Sequence, residues 1–139
     1  MPALTYGRLA YRALRGEVDL DNGVVKAALA GVYDMDTDAH DRWEHIVEPE
    51  TTGLYVPGGI AVRNFSLEYQ APLNRVALLG DDCHFLTMSA QVIRGVVFYL
   101  DDGDTKPLIA YHRFQVHRAI ENAPFTYYLA GRLICQFKV

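Results

Sequence analysis

The chain has 139 residues, 50% of them hydrophobic, enough for one core and short for two domains. A charged fraction of 22% with mean hydropathy near zero excludes a wholly disordered chain. A net charge of −4 and a pI near 5.6 argue against a dedicated nucleic-acid binder, which carries a basic stripe.

The first segment, Met1–Arg15, has Tyr6, Leu9, Ala10, Ala13 and Leu14 at helical spacing, and a leading strand or arm is the alternative reading. It lacks the basic start and apolar stretch of a secretory signal, and no run of eighteen apolar residues follows anywhere. The chain is therefore expected to stay where it is made until it joins something else, with neither membrane nor nucleic acid as partner.

Asp21-Asn-Gly is a tight-turn signal, and Val24–Ala30 after it reads as a strand. Asp36 or Thr37 can cap a helix in which Ala39, Trp43 and Ile46 or Val47 form one apolar stripe, ended by Glu48-Pro-Glu. Ile60–Tyr69 alternates apolar and polar residues as a half-buried strand does. Asn74–Gly80 and Phe85–Ile93 are further strand candidates. Gly95–Leu100, the turn Asp101–Pro107 and Leu108–Phe114 make the clearest hairpin. Phe125–Val139 reads as two short strands or one broken at Gly131. The expectation is a mainly β single domain over residues 1–139. Its fold would be an antiparallel sandwich or barrel-like, with one short helix near residues 37–47.

Chemical motifs are sparse. Counting a calcium loop from Asp34 puts Ala39 where glycine is needed and His45 where a bidentate glutamate is needed. His40 and His45 are five apart and fall on different helix faces, while Asp82, Cys83 and His84 diverge along a strand. Ser66 and Ser89 lack a nucleophile elbow, and the pairs Asp81-Asp82 and Asp101-Asp102 sit at turn-like positions. No catalytic residue, metal ligand or cofactor site is assigned, and the chain is expected not to be an enzyme. Cys83 and Cys135 are too few for a disulfide framework and read as buried thiols. Tyr55, Tyr69, Tyr99, Tyr111, Tyr127 and Tyr128 could line a sugar- or protein-binding face, so a carbohydrate-binding module is an alternative.

Several segments in order resemble a family of small tailed-bacteriophage virion proteins. Leu20-Asp-Asn-Gly-Val-Val-Lys-Ala-Ala-Leu is similar to the family's turn and first strand, and Asp36-Thr-Asp-Ala-His-Asp-Arg-Trp to its Asp-Thr-His-Asp-aromatic segment. Gly53-Leu-Tyr-Val-Pro-Gly-Gly resembles its Gly-x-Tyr-x-x-Gly-Gly turn, and Val96–Tyr111 its late hairpin with Pro-Leu-Ile after the turn. Phe125–Phe137 resembles the terminal strands. The chain departs at Ala30-Gly-Val-Tyr-Asp, where the family often has Thr-Ser, and residues 64–92 and those before Arg15 match poorly.

The resemblance implies a non-enzymatic virion component, first a capsid decoration (cement) protein on the outer shell. Its partners would be the major capsid protein and further copies of itself. A tail or head-fibre component is the alternative. Within this reading Tyr6, Arg8, Tyr11, Arg12 and Arg15 are the expected contact residues of an N-terminal arm docking on an acidic capsid surface. An ordinary first strand or helix of the core is the competing reading.

Overall fold

The computed structural model describes residues 3–21, 23–31 and 40–138. Strand β1 (Ala3–Thr5) leads into helix α1 (Gly7–Leu14), then β2 (Val24–Ala30), β3 (Thr51–Gly53), β4 (Ile60–Ala61) and β5 (Ser66–Gln70). The chain continues through β6 (Arg75–Leu79), β7 (Cys83–Asp101), β8 (Leu108–Tyr127) and β9 (Leu133–Lys138). The larger sheet runs β1-β8-β7-β2-β4, with β3 paired to β7, and the smaller runs β5-β6-β9. Every pairing is antiparallel. The expected class holds: the chain is mainly β and sandwich-like. Among the described residues no helix is long and apolar enough to cross a membrane.

The centre of the larger sheet is covered on both faces, which explains its unbroken apolar sequence. Val25, Ala27 and Leu29 of β2 join Val96, Phe98 and Leu100 of β7 in the main core, which also holds Leu78, Ile134 and Cys135 of the smaller sheet. Ala28, Ala30, Val97, Tyr99 and Tyr111 face the other way, under Tyr6, Trp43 and Ile46. His112 of β8 ties the two sheets together. Its Nε2–H donates to the Ile134 carbonyl at 2.7 Å, and its Nδ1 accepts from the Tyr127 hydroxyl at 2.6 Å. Truncating a side chain such as Phe98 in this core costs about 3–5 kcal/mol.

The expected helix near 37–47 is narrower than its apolar stripe suggested. Residues 32–39, including the capping positions, lie outside the described residues. Within the remainder only Trp43–His45 form one 3-10 turn. Tertiary pairing competes for the backbone there: Leu108 N–H donates to Asp41, Trp43 N–H donates to Lys106, and Arg42 bridges to Pro107. The α-helix proper is Gly7–Leu14, one of the two readings open for that segment.

Ile60–Tyr69 is likewise two strands. Asn64 turns into the left-handed region at φ 52°, so β4 joins one sheet and β5 the other. At the C-terminus the break near Gly131 is present, as a 3-10 turn over Ala130–Arg132 at which Gly131 has φ 60°.

Candidate interaction surface

Helix α1 sorts its residues by 3.6-residue spacing. Leu9 points into the main core, and Ala13 packs against it. Arg8, Tyr11, Leu14 and Arg15 lie on the opposite, solvent face, with Leu14 90% exposed. The helix itself contains no acidic residue. It is fixed to the body by β1, which pairs with Ala110–His112 of β8, and by the Tyr6 N–H bond to the Ile109 carbonyl.

The five sequence-predicted contact residues divide into two sets. Tyr6 is only 1% exposed and belongs to the core above Tyr99 and Tyr111. Burial raises its pKa, and its hydroxyl has no hydrogen-bond partner among the described residues. Arg12 is also turned inward. Its guanidinium lies 3.6 Å from Glu17, 3.9 Å from Asp41 and 3.4 Å from the Thr105 hydroxyl, joining α1 to the β7–β8 turn.

Arg8, Tyr11 and Arg15 remain on the surface. Arg8 reaches Asp41 at 3.7 Å. Arg15 pairs with Glu17 at 3.2 Å, donates to the Tyr11 hydroxyl at 2.7 Å and lies over the Tyr11 ring at 5.4 Å. Leu14 completes the patch and was missed, because a leucine at helical spacing reads as core. The segment is thus a docked strand and helix, with its outward face available for contact.

Asp41 is the hub beneath this face. Its carboxylate takes Arg8, Arg12, Arg42 at 3.5 Å and, when protonated, His45 at 3.6 Å. Glu17 pairs with Arg12 and Arg15, and Glu44 pairs with Arg42, so the four arginines of this cluster meet three carboxylates and leave a small positive excess on a chain whose total charge is −4. A Tyr–Leu–Arg patch of this kind suits protein contact, since aromatic and arginine anchors dominate interface energies.

The remaining candidates are dispersed. Tyr55, Tyr99, Tyr111 and Tyr127 are buried, leaving Tyr69 and Tyr128 of the six tyrosines on the surface. Tyr55 accepts from Leu29 N–H at 3.0 Å and donates to Glu48 at 2.6 Å, while Glu48 also accepts from Gly58 N–H at 3.1 Å. Tyr99, stacked on Trp43 at 4.4 Å, donates to the Gly58 carbonyl at 2.6 Å. These bonds give the Gly53–Gly59 motif a structural role, pinning its loop to β2 and β7.

Cys83 and Cys135 are separate free thiols, and burial pushes both up to about 12, away from the reactive thiolate. Ser89 Oγ accepts from Asn122 N–H at 2.9 Å, Ser66 lies at the start of β5, and His84 meets the Thr126 hydroxyl at 3.1 Å. Among the described residues no three His, Cys, Asp or Glu side chains are placed to hold a metal ion, and most of the Asp34–Asp41 cluster falls outside them. Compared with known proteins, the chain matches no family model, no curated protein and no solved structure.

Proposed function

We propose that the chain is a non-enzymatic structural protein of a tailed-phage virion, a capsid decoration protein that binds the outer shell and stabilises contacts between capsid subunits. The ordered set of segments from Leu20 to Phe137 that resembles the phage family carries this reading. A physical argument supports it. Decoration needs a stiff body and an exposed contact face, and the buried double-faced sheet and the Arg8–Tyr11–Leu14–Arg15 face of α1 are of that kind. The major capsid protein is the partner, and the acidic character expected of its docking surface complements the basic helix.

The test adds purified protein to shells stripped of it. Saturable binding at a copy number comparable with the major capsid protein is the expected result. The double substitution Leu14→Asp, Arg15→Glu should weaken binding at least about tenfold while leaving the fold intact, since both side chains are exposed. Full-strength binding by that variant would remove α1 from the interface, and no binding by the native chain would overturn the decoration role.

A further inference from the structure

Strand β5, at one edge of the smaller sheet, is built differently from the open edges of the larger sheet. Beyond β1, the edge of β8 carries exposed Arg113, Gln115, His117 and Arg118, and its register with β7 shifts repeatedly. Charges and bulges of that kind blunt strand pairing. Strand β4 offers two residues. Strand β5, by contrast, is five residues of regular strand whose one charged side chain is Glu68.

The apolar residues of β5 face the core side of the sheet and are left uncovered there. Leu67 is in register with Leu78 and through it with Cys135, both buried in the core. Tyr69 is in register with Val76 and Phe137. Yet Leu67 is 45% exposed and Tyr69 65% exposed, because the larger sheet does not extend over this last row. Beside the edge, an open slot of about 310 Å³ runs between β5 and the start of β2, lined by apolar Val24, Val62, Phe65 and Leu67 and by polar Asp21 and Ser66. An unpaired backbone edge beside a slot that can seat side chains is the arrangement that accepts an added strand, with main-chain bonds for affinity and side-chain seats for specificity.

We propose that the added strand is β5 of a second copy, paired antiparallel about a two-fold axis at Leu67, so that two three-stranded sheets become one of six. The sequence of β5 is self-complementary in that register. Leu67 meets Leu67, Phe65 meets Tyr69, and the Ser66 hydroxyl faces Glu68, which can accept its hydrogen bond. Moving the axis to Glu68 would set two carboxylates directly opposite each other. Moving it to Tyr69 would run the pairing into the 3-10 turn over Ala71–Leu73. Charge and turn geometry thus select the Leu67 register, and the two apolar rows then close each other's slots.

This deepens one part of the proposed role, the self-association of a shell protein, by giving it a site. The isolated chain tests it, so its failure leaves shell binding to be judged separately. Under mild oxidation Leu67→Cys should form a disulfide-linked dimer, because residues at the axis lie within the roughly 7 Å Cα span a disulfide bridges. Ser66→Cys should not, because Ser66 faces Glu68 and its own counterpart lies beyond that span. The native thiols are buried and do not compete. Sedimentation equilibrium should show the native chain as a dimer, and Leu67→Lys should raise its dissociation constant about tenfold or more. A native chain that stays monomeric across the concentration series overturns the proposal. So does cross-linking equal at positions 66 and 67, or absent at 67.

Discussion

At Gly59 the backbone enters the left-handed region, φ 80°, while lying directly against β2. A Cβ there would overlap the Ala27 carbonyl, so both conformation and space require glycine. Gly59→Ala should lower stability by about 2–4 kcal/mol through strain and a shifted loop, read as a lower urea midpoint. His112 gives a residue-scale pH dependence. Burial lowers its pKa below the ordinary 6.5, outweighing the bond to the Ile134 carbonyl that raises it. The unfolded chain therefore binds this proton more readily than the folded one. Its contribution is full above pH 6.5 and lost as pH falls below that value. The urea midpoint should drop between pH 7 and pH 5, and His112→Phe should flatten that drop despite a lower starting stability. An undiminished slope in His112→Phe would assign the effect to other groups.

At the scale of elements, legibility followed burial. The runs Val24–Ala30, Gly95–Leu100 and Leu108–Phe114 stood out because the centre of the larger sheet is covered on both faces. The full lengths of β7 and β8 did not stand out, because five register shifts along their pairing break the two-residue period. The apolar stripe around Trp43 satisfied helical spacing, but the β7–β8 turn took the backbone bonds and Tyr99 took the indole face. In the candidate site, the basic aromatic composition of residues 6–15 was readable. Which residues face outward was not, since Tyr6 and Arg12 are turned inward by partners distant in sequence, Ile109 and Thr105. Arg12 and Leu14 should accordingly separate in experiment. Arg12→Ala should cost about 1 kcal/mol by loosening α1, visible in thermal unfolding. Leu14→Ala should leave unfolding unchanged and weaken shell binding.

On the scale of the whole molecule, two sheets share a core around His112, a basic helix face lies at one margin, and an uncovered β5 edge ends the smaller sheet. Under the two proposals the helix face would bind the shell lattice while the β5 edge closes copies into two-fold dimers, so that each dimer holds the lattice at two points. The decoration proposal turns on one countable quantity, the number of chains per particle. If the decoration proposal holds, quantitative mass spectrometry of purified virions, normalised to the major capsid protein, should find this chain in copy numbers of the same order as that protein. A few copies per particle would assign it to the tail or a single vertex, and its absence from purified virions would contradict the virion role altogether.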